Sequence, residues 1–267
     1  MLAELVRLTT SDGLKHFGAI YPARGAHPSS LGVVIVHGMT GSFIGEIESA
    51  LPPLLAEAGY TTLVFNNRGT GLLGAATEKF TGCIADIRAA LDLMEARGFS
   101  RVALFGHSKA GAKVAYYMAQ TGDPRVVGLS VLSPVTNIHD IPRHFAHQFG
   151  KRNPEGWLQR VQKLAARGKG NTLFADRNWP YLMSAGTAAE HLSLQGDDTL
   201  ENLARLHLPI LAACGSLELD WCQVVARLRS SPPAGYRVEV VEGADHVYTG
   251  REQALADLMV AWMKTLG

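Results

Sequence analysis

The segment RVALFGHSKAGAKVAYYMAQTG, residues 101–122, decides the fold. Its first seven residues are apolar almost throughout, which predicts a strand buried on both faces. AGAKVAYYMAQTG predicts a helix that ends at Gly122. The turn between them, GHSKAG (Gly106–Gly111), is close to the pattern G-x-S-x-G, in which a serine on a sharp strand-to-helix turn is exposed as a nucleophile. Ala110 stands where that pattern has its second glycine.

The steric requirements of such a turn decide whether it can form with Ala110 in place of the second glycine. The residues beside the serine must be small, because strand and helix pack closely there. Gly106 meets this requirement before Ser108, and Ala110 has the smallest side chain after glycine. The replacement therefore weakens the pattern match but leaves the steric requirement satisfied. The helix that follows would direct its positive end and the Lys109 amide at the serine.

Strand and helix patterns alternate along most of the chain. Continuous apolar runs, which indicate buried strands, occupy residues 31–38, 61–67, 101–107, 126–134, 208–215 and 236–243. Two alternating runs, at 3–10 and 15–23, flank the hairpin-like turn Asp12-Gly13. Helical spacing recurs in residues 80–98 and 251–266. This alternation predicts an α/β fold, with a mostly parallel eight-stranded sheet flanked by helices.

The alternation stops between residues 137 and 206, where aromatic residues occur without a clear strand. This segment is too long for a plain loop. We expect a helical cap insertion at 137–206, over one end of the sheet, and a core made of 1–136 and 207–267. Residues 141–181 contain eight Lys and Arg against two Asp and Glu. That excess of positive charge would attract anionic substrates. The alternative interpretation is that these residues form a helix face exposed to solvent.

Composition excludes several classes of protein. The chain has 267 residues, enough for one domain or two, and a net charge of +1, without the basic excess of a nucleic-acid-binding protein. Cys83, Cys214 and Cys222 form no CxxC pair, so we expect buried thiols in a reducing compartment. Glu4 and Arg7 interrupt the first apolar stretch, which is untypical of a signal peptide. No apolar run approaches the roughly 20 residues of a membrane span. We expect a soluble, cytoplasmic protein; its oligomeric state stays open.

A glycine pattern at Gly69–Gly74, GTGLLG, formally matches the dinucleotide-binding pattern G-x-G-x-x-G after a strand. A dinucleotide site would also need an acidic residue about 20 positions further on, at the end of the next strand. Asp86 instead falls in the middle of a predicted helix, and the next strand ends at His107 and Ser108. A glycine-rich turn is therefore favoured over a nicotinamide cofactor site.

Taken with GHSKAG, other motifs resemble those of the α/β-hydrolase fold family over nearly the whole chain. HGMTG (37–41), after the strand VVIV, is similar to that family's HG oxyanion loop. FNNRGTG (65–71) resembles its D-x-R-G-x-G segment, with Asn66 replacing the usual aspartate, which also accounts for the dinucleotide-like match. GADHVY (243–248) resembles the loop that carries the catalytic histidine, here His246.

The resemblance implies a triad acid after the strand LPILAACG. The family position three residues past a glycine is Glu218 in GSLELD, and Asp220 lies two residues further on. A less common placement after the preceding strand would nominate Asp140. The order Ser108, Glu218, His246 matches the family order of nucleophile, acid and base.

The resemblance implies that the protein is a serine hydrolase of the carboxylesterase type, EC 3.1. It would cleave a small or medium carboxylic ester through an acyl-enzyme on Ser108, with the Met39 and Lys109 amides as oxyanion donors. No metal or organic cofactor is implied. An acyl thioesterase with the same triad and a non-catalytic ligand-binding module remain alternatives. We expect the Lys109 and Lys113 side chains, four apart on the helix, to be solvated.

Overall fold

The computed structural model describes residues 2–26, 28–139, 141, 154–174 and 182–267. Their strands are β1 Glu4–Thr9, β2 Lys15–Tyr21, β3 Leu31–Val36, β4 Thr62–Phe65, β5 Arg101–His107, β6 Val126–Leu132, β7 Leu173–Phe174, β8 Met183–Ser184, β9 Ile210–Gly215 and β10 Tyr236–Val241. Their helices are α1 Glu46–Glu57, α2 Gly71–Thr77, α3 Cys83–Ala96, α4 Lys109–Thr121, α5 Pro154–Ala166, α6 Ala185–Ser193, α7 Thr199–Ala204, α8 Gln223–Ser230 and α9 Glu252–Met263. Short 3₁₀ helices occupy Phe80–Gly82, Ser216–Glu218 and Lys264–Leu266.

Eight of the strands form one sheet in the order β1-β2-β4-β3-β5-β6-β9-β10. β2 is antiparallel to both of its neighbours, and the remaining pairs are parallel. The predicted mostly parallel eight-stranded sheet is confirmed, and each predicted strand is present. Because β3, β5, β6, β9 and β10 run in one direction, the turns that follow them meet at one edge of the sheet.

Both faces of the sheet are covered by helices, which explains the continuous apolar runs. On β3 and β5, Val34 and Leu104 pack in a core that includes side chains of α3, α4 and α8. Val33 and Phe105, their neighbours along the strands, point to the other face and pack with side chains of α1 and α9. Alternate residues therefore contribute to two separate cores, as the pleat of a strand requires.

Glycines end several elements where the sequence predicted turns. Gly122 adopts a left-handed conformation (φ 55°) after α4, and its amide donates to the Met118 carbonyl. Gly98 has φ 92° just after α3, and Gly13 has φ 84° in the hairpin between β1 and β2. Glycine adopts positive φ without the steric cost that a Cβ imposes, so these chain reversals occur where predicted.

Within residues 137–206 the described part contains α5, α6, α7 and a short antiparallel pair, β7 and β8. The helices agree with the expectation, whereas the expected absence of strands is wrong. Strands of two residues are too short to produce a period-2 pattern, so the sequence holds no sign of them. The division into a core of 1–136 and 207–267 and a cap insertion at 137–206 stays a prediction.

Helix α6 contacts the segment that follows α2. Glu190 accepts hydrogen bonds from the Phe80 amide at 2.8 Å and from the Thr81 hydroxyl at 3.0 Å. Lys79 donates to the Gly186 carbonyl at the start of α6. This contact brings one helix of the predicted insertion to the edge of the sheet at which β4 ends.

The structure bears on two expectations from composition, the state of the cysteines and the absence of a membrane span. All three cysteines are buried and free, which confirms that they are buried thiols without a disulfide. Among the helices of the described ranges, none is long and apolar enough to cross a membrane.

Candidate active site

Ser108 lies in the sharp turn between β5 and α4, with φ 56° and ψ −124°. A Cβ at Gly106 would lie 2.2 Å from the Ala110 carbonyl oxygen, so only glycine fits there. Ala110 itself is fully buried in the core, and its methyl group is accommodated. A Cβ at Gly111 would lie 2.7 Å from Pro134 Cβ, which explains the glycine one position late. The turn therefore meets its steric requirements with Ala110 in place.

The structure brings Ser108, His246 and Glu218 into one hydrogen-bonded chain. Ser108 Oγ lies 3.0 Å from His246 Nε2, and His246 Nδ1 lies 2.7 Å from Glu218 Oε2. A carboxylate only accepts, so Nδ1 carries the proton and Nε2 accepts from the serine hydroxyl. The three residues follow β5, β9 and β10, whose carboxyl ends meet at the same edge of the sheet.

Glu218 is buried, with 1% of its surface exposed. Its Oε1 accepts from the Gly215 amide at 3.1 Å and from the Ser133 hydroxyl. Burial opposes ionisation, but hydrogen bonds from His246 and Ser133 outweigh it, so the pKa of Glu218 is lowered and the group is a carboxylate at neutral pH.

The two other candidate acids lie elsewhere. Asp220 is exposed and makes no hydrogen bond with His246 among the described residues. Asp140 lies outside the described residues. The geometry thus favours Glu218 as the partner of His246, in agreement with the spacing from Gly215.

Ser133 and Tyr248 complete the surroundings of Glu218, and sequence reasoning missed both. Ser133 Oγ also lies 3.1 Å from the buried Tyr248 hydroxyl. Ser133 follows β6 at the carboxyl edge of the sheet. That position was the only feature of the sequence that could have indicated a place near the site. Trp221 was also missed; its ring lies 5.2 Å from that of His246, and the side chain is half exposed.

The loop HGMTG lies against the serine turn. A Cβ at Gly38 would lie 2.9 Å from Ser108 Cβ. His37 fixes the loop, since its Nε2 accepts from the Asn67 amide at 3.0 Å and its Nδ1–H donates to the Gly38 carbonyl at 2.8 Å. Burial lowers the pKa of His37 to about 4, so the ring is neutral at pH 7. Among the described residues, neither the Met39 nor the Lys109 amide has an acceptor.

The expected solvation of Lys109 and Lys113 is wrong. Both side chains are buried and share one partner, Glu78, which is itself buried. Lys109 Nζ lies 2.6 Å from Glu78 Oε2, and Lys113 Nζ forms an ion pair with Oε1. Burial raises the pKa of Glu78, but the two ammonium groups outweigh it and hold the pKa far below its ordinary value. Glu78 lies 31 residues before Lys109 in the chain. The sequence around the two lysines therefore does not show that they have a buried partner.

The glycines of GTGLLG serve packing. A Cβ at Gly69 would lie 2.8 Å from the Glu78 carboxylate, and Gly71 has φ 64°. Asp86, which the sequence places in the middle of a helix and not at a strand end, is buried and accepts hydrogen bonds from Arg68 and His16. These contacts favour the interpretation as a glycine-rich turn.

Comparison with known proteins identifies the family. The sequence model of the alpha/beta hydrolase family matches residues 33–258, which is most of the chain. The chain belongs to the α/β-hydrolase family, as the elbow turn, the HG loop and the element order had indicated.

Solved structures of similar fold agree over the whole chain. Est1E from Butyrivibrio proteoclasticus, with ferulic acid bound, is 17% identical, with 98% of each chain covered and a TM-score of 0.74. GrgF from Penicillium sp. sh18, an alpha/beta hydrolase, is 14% identical, with 99% of each chain covered and a TM-score of 0.75. A soluble variant of monoglyceride lipase from Saccharomyces cerevisiae is 15% identical, with 100% of this chain and 96% of the other covered and a TM-score of 0.67. At such identities the likeness is evidence for the fold alone.

Proposed function

We propose that the protein is a serine hydrolase that cleaves carboxylic esters through an acyl-enzyme on Ser108. The observation that carries the proposal is the hydrogen-bonded chain from Glu218 through His246 to Ser108, with distances of 2.7 and 3.0 Å. Nucleophile, base and orienting acid are all within hydrogen-bond reach of their partners, which is the arrangement that activates a serine.

In the proposed reaction, His246 Nε2 takes the Ser108 proton as Oγ attacks the ester carbonyl. The resulting tetrahedral intermediate returns its electron pair to the carbonyl, the C–O bond to the alcohol breaks, and His246 protonates the leaving alcohol. His246 then takes a proton from water as the water oxygen attacks the acyl carbonyl. The second tetrahedral intermediate collapses, the bond from the acyl carbon to Ser108 Oγ breaks, and His246 returns the proton to Oγ, which releases the acid and restores the free serine. Glu218 holds the imidazole tautomer and stabilises its charged form without taking the proton.

The Met39 and Lys109 amides are the proposed oxyanion donors. Lys109 is the first residue of α4, so its amide also belongs to the positive end of that helix. Each donor directed at the developing negative charge is worth about 3 kcal/mol of barrier. Only backbone groups act, so the proposed oxyanion role sets no requirement on the Met39 or Lys109 side chain.

A fluorophosphonate probe tests the proposal, because it phosphonylates only an activated serine. We expect the wild type to be labelled on the peptide that carries GHSKAG and to hydrolyse p-nitrophenyl esters. Ser108→Ala should lose both, whereas Ser193→Ala, at an exposed serine on α6, should keep both. Absence of label on folded wild type would contradict the proposal and favour a non-catalytic binding module.

A second candidate, an acyl thioesterase with the same triad, is favoured by charge on the predicted insertion. Arg160, Lys163 and Arg167 line a groove on α5, and such a surface would attract the phosphates of coenzyme A. Activity on coenzyme A thioesters should then exceed activity on simple esters and weaken as ionic strength rises. Negligible thioester turnover beside ester turnover removes this candidate.

A further inference from the structure

A buried histidine–carboxylate pair, His107 and Glu48, lies next to the pair formed by His246 and Glu218. His107, the residue before Ser108, donates from Nε2 to the main-chain carbonyl of His246 at 2.8 Å. Its Nδ1 lies 3.6 Å from Glu48 Oε1, on α1. The rings of His107 and His246 lie 5.0 Å apart. The side chains of His107 and Glu48 are 7% and 5% exposed, so water does not compete for these contacts.

The position of His107 connects the two loops that must meet for the reaction. It is adjacent in sequence to Ser108, so its backbone moves with the serine turn. Its side chain holds the carbonyl of His246, which belongs to the loop after β10. One residue therefore bridges two parts of the chain whose spacing sets the 3.0 Å contact between Ser108 Oγ and His246 Nε2.

Glu48 explains how the His107 ring is oriented. The ring lies between two acceptors, the His246 carbonyl at Nε2 and the Glu48 carboxylate at Nδ1. Glu48 Oε1 is buried and, in the described part of the chain, has no hydrogen-bond partner. An unpartnered buried carboxylate oxygen is costly, and a proton on Nδ1 reduces that cost. Burial lowers the pKa of His107, but Glu48 outweighs it and raises the pKa above its ordinary value.

We propose that His107 is a positioning residue for the reaction on Ser108: held by Glu48, it fixes the His246 loop at hydrogen-bonding distance from the serine. The inference rests on the proposed function, since it concerns the same Ser108–His246 contact. His107 does not touch the reacting atoms, and its effect acts through the geometry of His246. A displacement of about 1 Å at such a contact costs on the order of 100-fold in rate.

Two substitutions at His107 separate positioning from packing. His107→Phe keeps a ring but removes the donor, and His107→Gln keeps an N–H that reaches the His246 carbonyl. We expect His107→Phe to lower kcat and the rate of fluorophosphonate labelling about 10- to 100-fold with KM within about threefold, as a misplaced base predicts. His107→Gln should recover most of that loss.

The chain offers a matched control in His16, a buried histidine 3.0 Å from the carboxylate of Asp86. Among the described residues it makes no hydrogen bond or ion pair with Ser108, Glu218 or His246. His16→Phe should lower the thermal midpoint as His107→Phe does, because each leaves a buried carboxylate without its imidazole. It should leave kcat and the labelling rate unchanged.

The outcomes distinguish this inference from the proposed function. If the wild type labels on Ser108 and His107→Phe labels at the wild-type rate, the positioning role is wrong and the proposed function stands. Equal losses of kcat in His107→Phe and His16→Phe, or no recovery in His107→Gln, would also overturn it. If His107→Phe fails to fold, His107→Gln and Glu48→Gln carry the test, with an unchanged kcat in Glu48→Gln counting against the role of Glu48. No label on folded wild type overturns both proposals.

Discussion

Replacement of Glu78 by glutamine should be one of the most destabilising single changes in the protein. The carboxylate lies between two buried ammonium groups, 2.6 Å from Lys109 Nζ and in an ion pair with Lys113. All three side chains are at most 2% exposed, so solvent cannot replace the lost charge. Breaking a buried pair costs about 3–5 kcal/mol. Because one anion serves two cations, we expect Glu78→Gln to lie at the upper end of that range.

Replacement of one of the two cations, in Lys109→Met, should lower the free energy of unfolding much less than Glu78→Gln does. It removes one of two cations and leaves Glu78 and Lys113 as a neutral pair. Methionine has a similar length and fills the space of the lysine stem, so we expect a loss below about 1.5 kcal/mol. Apolar residues in place of buried charges are often neutral or stabilising. The backbone amide of residue 109 is retained, so ester hydrolysis should persist.

Urea unfolding of the wild type and of the two variants measures both free energies. Each kcal/mol of lost stability should lower the thermal midpoint by about 2–4 °C for a chain of this size, which gives Glu78→Gln a loss of roughly 10–20 °C. The reasoning is refuted if Glu78→Gln is no more destabilising than Lys109→Met. In that case the carboxylate does not compensate two buried charges.

The same carboxylate should shape stability in acid. The pKa of Glu78 is held far below its ordinary value of 4.5 in the folded protein. Its contribution to stability is therefore fully present above about pH 4.5, and it declines as the pH falls towards the folded pKa, because the unfolded chain takes up the proton first. The difference in unfolding free energy between wild type and Glu78→Gln should shrink between pH 5 and pH 3. A constant difference would show that the pKa of Glu78 is the same in the folded and unfolded states, so that the two lysines do not lower it.

Two further pairs of variants test the acid and the elbow. Glu218→Gln should lower kcat by about four orders of magnitude, because the imidazole loses the partner that sets its tautomer. Asp220→Asn should change kcat less than about twofold. If Asp220→Asn lowers kcat more than Glu218→Gln does, the acid is Asp220. Gly106→Ala should cost about 3 kcal/mol or more in urea unfolding, since its Cβ would lie 2.2 Å from a backbone oxygen. Ala110→Gly should cost about 1 kcal/mol, and equal stability of these two variants would contradict the close packing at the elbow.

Local patterns predicted the sheet and the location of the site. Six strands of the sheet were identifiable because strands buried on both faces are apolar at consecutive positions. The first two, β1 and β2, were identifiable from alternating apolar residues on either side of the turn Asp12-Gly13. The elbow at Ser108 was identifiable because a tight turn restricts its neighbours to small residues, as Gly106 shows. His246 was identified through a resemblance, by its place after the last strand. In each case the information lies within a few residues of the feature.

The candidate acid could not be chosen from local sequence alone. Glu218 and Asp220 are two residues apart, and both are carboxylates near the end of β9. The 3₁₀ helix Ser216–Glu218 turns the first into the interior, where Ser133 and the Gly215 amide bind it, and leaves the second exposed. Ser133 comes from another strand, so no property of GSLELD alone decides between the two carboxylates.

The sequence by itself determined the order of the sheet's strands and of their connecting helices along the chain, the turn that carries the candidate nucleophile, and the candidate base. Backbone conformation and burial produce recognisable patterns in neighbouring residues. Only the tertiary structure decided which charges meet. The spacing of Lys109 and Lys113 indicates one helix face, yet Glu78 lies opposite that face because the sheet places the end of α2 against α4. The same holds for Glu48 and His107, since Coulomb and hydrogen-bond energies depend on distance in space, and the fold sets that distance.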